Sequence, residues 1–393
     1  LLESQYSNKT TNIMVSFDLE KKQIEIVEKY RDFTKRWIIP NRKKYDELSE
    51  FPWDIVKAAY DEKIINGSIP VEYGGNGFNI FEGGLASEEL GYGCTGIGIC
   101  IDASILALTP TFIAASEEQK KRIYGEINER KAVAAYALTE PNAGSDVAGI
   151  KTQAIKTGDK YILNGHKRFI TNAEVADYIT VFAITDPDRG ARSLTAFVIP
   201  ADLPGIEILP RMDKMGQRAS VQNEIIFNDV EVPENALLGR EGMGFLIAMK
   251  TFDRTRTGVA AAAVGNAQAA LDASLDWAKN RIQFGKPITA NQAVGFMFAD
   301  MATEVELARN IVWKSGWAYD TDQKSLNRLS AMSKLYATDM AMRVTTDAVQ
   351  LMGGDGYSKD FPVEKMMRDA KLSQIYEGTN QVQRLVISKA IMK

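Results

Sequence analysis

Histidine is almost missing from this chain: His166 stands alone among 393 residues. A multi-histidine metal site is therefore excluded, and the Ser-His-Asp and Cys-His nucleophile arrangements are left with one candidate base. Proton transfer falls to a carboxylate, a lysine or a tyrosine. Cysteine is scarce too. Cys94 and Cys100 make no disulfide framework, which points to a reducing compartment. Charge of one sign is lacking: 47 Lys+Arg face 51 Asp+Glu, a formal net charge of -4. Without a basic excess, neither nucleic acid nor anionic lipid is an expected partner. No apolar run approaches the roughly 18 residues that span a bilayer, so a soluble chain with no membrane span is expected. The Ala-rich stretch Val259–Ala270 is short and runs into Asp272, Asp276 and Lys279.

The ends are equally plain. The chain starts at Leu1, so an initiating segment has been removed or lies outside it, and residues 1–13 carry no apolar core of a signal peptide. Asn8-Lys9-Thr10 spells a glycosylation sequon, read as coincidence in a reducing compartment. Ile391-Met392-Lys393 is no peroxisomal tripeptide.

With 45% apolar residues the chain can bury a sizeable core, in two or three domains or one large composite fold. Its periodicity changes twice. From Phe17 to about Tyr136 the pattern is helical, with an acid near the first helix start and Pro40 as a breaker after Trp37-Ile38-Ile39. The loop Pro70–Gly77 punctuates this part. From Tyr136 to about Asn235 the period becomes two, with strands at 160–163, 179–184, 194–199 and 224–227, the mark of a β-barrel or sandwich. From Gly242 the helical period returns. Val264, Ala267, Leu271, Leu275 and Ala278 step by three and four, as do Val294, Phe298, Met301, Val305, Ala308 and Val312, predicting two long helices of a bundle. Domains are expected at 17–135, 136–240 and 241–393.

One motif misleads. Gly91-Tyr92-Gly93-Cys94-Thr95-Gly96 matches GxGxxG, but a dinucleotide fingerprint needs a preceding strand, and Leu85–Leu90 reads as helix. A packed helix junction is the better reading. His166 reads as a surface strand residue, since no oriented partner is apparent.

Four blocks carry chemistry. Ile375–Arg384, IYEGTNQVQR, sets Glu377 before a glycine, a threonine and amide side chains. Tyr136–Asp146, YALTEPNAGSD, offers the hydroxyls of Thr139 and Ser145 beside Ala143-Gly144, where a planar ring can approach the backbone closely. Arg168-Phe169-Ile170-Thr171-Asn172 is the third block. The fourth is Arg281–Lys286 with Gln292, whose arginine has the planar fork that suits phosphate. Together with Lys214–Arg218, Phe252–Arg256, Gln350–Gly354 and Met367–Lys371, they resemble the acyl-CoA dehydrogenases from Phe17 to Ile391, closest to the medium-chain branch.

That resemblance implies an α+β fold: an N-terminal helical domain, a middle β-barrel domain and a C-terminal four-helix bundle. It implies FAD as cofactor and Glu377 as the base that removes the α-proton of an acyl thioester. The main-chain N–H of Glu377 and a ribityl hydroxyl would meet the thioester oxygen, and the β-hydrogen would leave as hydride to the flavin. Tyr136, Leu138, Thr139, Gly144 and Ser145 would line the flavin. Phe169 would cover it where many relatives have Trp, with Ile170 beside it and Thr171 toward its reactive nitrogen. Arg281, Gln283, Phe284 and Gln292 would reach the pyrophosphate and adenosine of a neighbouring subunit, and Gln350, Leu351, Gly353 and Gly354 the adenine side. Thr379 and Gln381 complete the expected cofactor contacts. Acyl-CoA would meet Ser145, Asp253, Arg254, Thr255, Arg256, Tyr376 and Gly378, with Asp102 near the pocket floor.

The expected activity is dehydrogenation of a medium-chain acyl-CoA to the trans-2-enoyl-CoA, with electrons passed to electron-transfer flavoprotein. A homotetramer, built as a dimer of dimers, is the expected assembly, and mitochondrial matrix or bacterial cytoplasm the compartment. A short-chain dehydrogenase, an enoyl-CoA reductase and a non-catalytic assembly scaffold of the same fold stand as alternatives. No metal is expected.

Overall fold

The computed structural model describes residues 17–392; the sequon at Asn8 and the rest of the N-terminal stretch lie outside the described residues. Helix α1 (Lys21–Phe33) starts in a capping box between Glu20 and Gln23 and buries Ile26, Tyr30 and Phe33. Pro40 ends regular α-helix as expected, but less abruptly. The chain passes through a π turn (Thr34–Ile38) and a 3₁₀ turn (Ile39–Asn41) before α2 (Arg42–Leu48) and α3 (Trp53–Asp61). Proline has no N–H to close the α ladder, and the hydrogen bonding shifts around it.

Helix α4 (Ile80–Ala114) opens on a second capping box, Asn79 with Glu82, and α5 (Glu117–Arg130) follows. Among the described residues α4 is one helix long and apolar enough to cross a membrane by length and composition, which corrects the expectation that no segment is. Its Gly, Ser, Thr and Cys residues interrupt the aliphatic runs without making the helix polar. The most apolar 18-residue window is 56% buried inside the protein, the pattern of a core helix. The GxGxxG glycines lie within α4, with no strand before them. At Cys94 the backbone leaves helical geometry (φ -173°, ψ 115°), and there α4 presses onto α6 (Gly244–Asn280). A Cβ on Gly91 would lie 2.3 Å from the Ala262 carbonyl oxygen, and one on Gly265 2.0 Å from that of Glu88. The junction reading holds.

The middle of the chain forms one seven-stranded sheet: β1 (Val133–Ala137), β2 (Gln153–Thr157), β3 (Lys160–Thr171), β4 (Ala176–Ile184), β5 (Leu194–Pro200), β6 (Ile206–Ile208) and β7 (Gln222–Pro233). Its order is β1-β4-β2-β3-β7-β6, with β5 also on β4. All four expected strands occur. β3 runs on to Thr171, and its pairing with β7 slips between Lys167 and Ile170, a bulge that sets Phe169 at φ 59°. His166 lies on β3 as a strand residue, but half-buried and with its ring against Glu224 of β7, a partner that only strand pairing supplies.

After α6 come a small hairpin, β8 (Ile282–Gln283) and β9 (Lys286–Pro287), then α7 (Gln292–Thr321) and α8 (Gln323–Met352). Short α9 (Gly354–Tyr357), α10 (Val363–Ser373) and α11 (Asn380–Ile391) complete the chain, and both α10 and α11 pack on α8. Val264, Leu271, Met301, Val305, Met340 and Val344 share the core of this bundle. Each contributes about 1.5–3 kcal/mol by leaving water.

The α4–α6 contact predicts that Gly91→Val destabilises the fold by about 1–3 kcal/mol, because the added methyls meet backbone that cannot swing aside. Thermal denaturation reads this directly, and an unchanged Tm would contradict the close approach.

Candidate active site

A cavity of about 1020 Å³ opens where α4, the end of β3, α6 and the turn between α10 and α11 meet. Glu377 lies on its wall in that turn. The backbone there is left-handed at two successive residues, Glu377 (φ 51°) and Gly378 (φ 89°). Glutamate rarely adopts this conformation, whereas glycine does so freely. Thr379 then caps α11 by accepting from the Val382 N–H at 3.3 Å, so Glu377 precedes the helix cap and is not a first-turn acid.

Glu377 is half-buried on the cavity wall. The Thr255 hydroxyl donates to Oε2 at 2.7 Å. Burial raises the carboxyl above its ordinary range, opposed by the Thr255 hydrogen bond and by the charges of Arg256 and Lys334. A carboxylate held this way is a stronger base than one in water, with a single neutral donor against it.

Sixteen of the expected site residues line this one cavity. Tyr136, Leu138, Thr139, Gly144 and Ser145 come from β1 and the loop after it. Phe169, Ile170 and Thr171 come from the end of β3, and Arg254, Thr255 and Arg256 from α6. Tyr376, Glu377, Gly378 and Thr379 belong to the turn before α11, and Asp102 to α4. The Tyr136 hydroxyl is buried with no hydrogen-bond partner among the described residues, and the Gly144 backbone faces open space. Phe169 leaves its ring 52% exposed, with the Arg168 guanidinium 4.9 Å from its centre. Hydroxyls, an orphaned phenol, bare backbone and an exposed aromatic residue fit a large planar group with hydrogen-bonding edges, as a flavin is.

At another part of the wall Asp102 accepts from the Ser87 hydroxyl at 2.7 Å, and burial pushes its carboxyl up to about 6 against that bond. Arg254 is packed between the rings of Phe112 and Tyr319, 4.4 and 5.0 Å away.

The remaining expected residues lie apart from the cavity. Asp253 turns away from it, accepting from Arg256 and Asn327, each at 2.9 Å. Gln381 is exposed on α11. Arg281, Gln283, Phe284 and Gln292 sit on the surface around the β8–β9 hairpin, Phe284 97% exposed. Gln350, Gly353 and Gly354 are exposed at the end of α8. Leu351 corrects the expectation for its side chain, which is buried in the bundle core and leaves only backbone to offer a ligand.

Buried residues behind the cavity wall escaped the sequence reading. Lys334 and Gln383 both donate to the Gly378 carbonyl oxygen, at 2.9 and 2.8 Å. Lys167 donates to Leu138 O at 3.0 Å and Glu140 Oε1 at 2.8 Å, while Glu140 also accepts from the Lys151 and Thr152 N–H groups. The one available signal was Lys167 at an inward position of β3, in step with Tyr161 and Leu163; Lys334 stands among Ser330, Ser333 and Thr338 on α8 and offers none.

Three family profiles match the chain: acyl-CoA dehydrogenase N-terminal domain over residues 20–130, middle domain over 135–230 and C-terminal domain over 242–392. The chain belongs to the acyl-CoA dehydrogenase family. A probable acyl-CoA dehydrogenase of Bacillus subtilis, YngJ, is 42% identical over 96% of this chain and 100% of its own length. A probable medium-chain specific acyl-CoA dehydrogenase 2, mitochondrial, of Caenorhabditis briggsae is 42% identical over 96% and 92%. Butyryl-CoA dehydrogenase from Megasphaera elsdenii superposes with a TM-score of 0.93 at 39% identity, covering 96% of this chain and 100% of that one. A chain from a structure described as the electron transferring flavoprotein of Acidaminococcus fermentans, towards a mechanism of flavin-based electron bifurcation, gives 0.94 at 42% over 96% and 100%. This acyl-CoA dehydrogenase is accordingly an oxidoreductase of CH–CH groups, with the family's α+β fold of helical, β and helical parts.

With Glu377 as the proposed base, its ionised form is the competent one, and activity should rise with pH through its raised pKa. Thr255→Val removes a donor that favours the ionised form, so the ascending limb of the kcat profile should move to higher pH. A limb that stays in place would contradict the contact.

Proposed function

We propose that this chain is a FAD-dependent dehydrogenase of straight, saturated medium-chain acyl-CoA, forming the trans-2-enoyl-CoA. The observation that carries the proposal is the Glu377 carboxylate, set against the Thr255 hydroxyl inside a cavity that also gathers Thr139, Ser145, Phe169 and Thr171. Glu377 takes the α-proton on its carboxylate, and its main-chain N–H meets the charge that develops on the thioester oxygen. A bound FAD supplies the hydride acceptor for the β-hydrogen. Thr139, Ser145 and Thr171 would offer hydroxyls to it and Phe169 would pack against it, with the partnerless Tyr136 hydroxyl on the same cavity wall. Around the substrate, Arg254 and Arg256 bring positive charge to the wall, and bound acyl chain and cofactor together would keep water from the reacting atoms.

Exposure of Arg281, Gln283, Phe284 and Gln292 away from the cavity suits contacts to a neighbouring subunit's FAD in a homotetramer arranged as a dimer of dimers. Gln350, Gly353 and Gly354 suit its adenine side. Electron-transfer flavoprotein is the proposed electron acceptor, and a bacterial cytoplasm or mitochondrial matrix the proposed compartment.

Asp102 supports the medium-chain assignment. Covering a carboxyl with hydrocarbon is costly, so the acyl chain should stop short of it, at about six to ten carbons. A short-chain substrate is the second reading, favoured by the likeness to butyryl-CoA dehydrogenase.

Anaerobic addition of acyl-CoA to the FAD-loaded protein should bleach the flavin absorbance, and kcat/KM from butanoyl- to hexadecanoyl-CoA should peak at about six to ten carbons if Asp102 sets the floor. An optimum at four or at sixteen carbons would overturn the chain-length assignment. Protein that takes up no FAD would overturn the proposal as a whole. Asp102→Ala should shift the optimum toward longer chains.

A further inference from the structure

Lys334, on α8, has no exposed surface, and its ammonium lies behind the turn that carries Glu377. Nζ donates to the Gly378 carbonyl oxygen and to Asn380 Oδ1, both at 2.9 Å. From the opposite end of the turn, Gln383 Nε2 reaches the same Gly378 oxygen at 2.8 Å and the Glu377 carbonyl oxygen at 3.2 Å. The two carbonyls belong to the peptide units on either side of Gly378, within the left-handed pair Glu377–Gly378. A glutamate stays in this conformation only where its surroundings over-determine it. An ammonium suits the task, with three donors and no acceptor.

We infer that Lys334 is a positioning residue for the dehydrogenation: through Gly378 and Asn380 it locks the turn that aims the Glu377 carboxylate and main-chain N–H into the cavity. The inference rests on Glu377 being the base. Glu377 is faced by Thr255 and Arg256 from α6, Lys334 from α8, Tyr136 from β1 and Tyr376 from its own turn. Lys334 in turn faces Glu377, Arg256 and Asp339. Burial pulls its ammonium down to about 7, with Glu377 and Asp339 opposing that shift. Arg256 is already paired with Asp253, so Lys334, while its amine is protonated, adds a second positive charge that favours ionised Glu377.

Lys334→Met keeps the bulk and removes donors and charge. In the FAD-loaded protein kcat should fall roughly 10-fold or more, because a displaced base loses its geometry. KM for acyl-CoA should change by less than about threefold, since ground-state contacts remain. The ascending limb of the kcat profile should move to higher pH with the loss of the cation. A lowered Tm with kcat and the limb unchanged would overturn the inference and leave Lys334 a structural residue. Lys334→Gln, which retains an amide donor for Gly378 without charge, guards against poor folding of the first variant. It should give an intermediate kcat and the same displaced limb, and wild-type values would overturn the inference equally. A failure of the Glu377 assignment is separable, because the α-proton would then still exchange in Glu377→Gln.

Discussion

A carboxylate held away from bulk water with one neutral hydroxyl against it is the constraint around which this molecule is arranged. Desolvation makes Glu377 basic, and it also makes its placement costly, since a buried charge needs partners close by. The fold meets that cost from three directions: Thr255 and Arg256 on α6, Lys334 on α8, and the left-handed turn that presents the residue. The long helices α6 and α8 must pack in register for these groups to converge, and their shared core of Val264, Leu271, Met340 and Val344 sets that register.

A second set of buried polar contacts ties the sheet to this site. Lys167 on β3 holds Leu138 O and Glu140, and Glu140 holds the backbone of residues 151 and 152. Burial pulls the Lys167 ammonium down to about 8, opposed by Glu140. This pair fixes the loop carrying Thr139 and Ser145 against the end of β3, where Phe169 and Thr171 stand. Asp369 on α10 joins the parts further. It accepts from Lys365 at 2.5 Å, from Thr95 of α4 at 3.1 Å and from the Gln217 N–H at 2.5 Å. One cavity is thus walled by helices and strands distant in sequence.

What could be read from the sequence was whatever is encoded locally. The change from period 3.6 to period 2 and back follows from how each helix or strand meets its core. The Glu377, Thr139 and Thr171 blocks were legible because each is a short turn or strand end whose chemistry sits in neighbouring residues. What escaped depends on distant partners. Lys334 contacts a carbonyl 44 residues away, and its helix reads as an ordinary amphipathic pattern. The α4 kink at Cys94 lies just past the close approach of α6 at Gly91, which no spacing announces. Leu351 and Asp253 lie in motif-like segments, yet the turn of the helix sends one into the core and the other toward Asn327.

The central claim, that Glu377 is the base, is tested most directly by exchange of the acyl-CoA α-proton with deuterated solvent, wild type against Glu377→Gln. The substitution keeps shape and removes only the basic oxygen. Exchange should fall by roughly 10²-fold or more while FAD and acyl-CoA remain bound. Exchange at the wild-type rate in the variant would contradict the account.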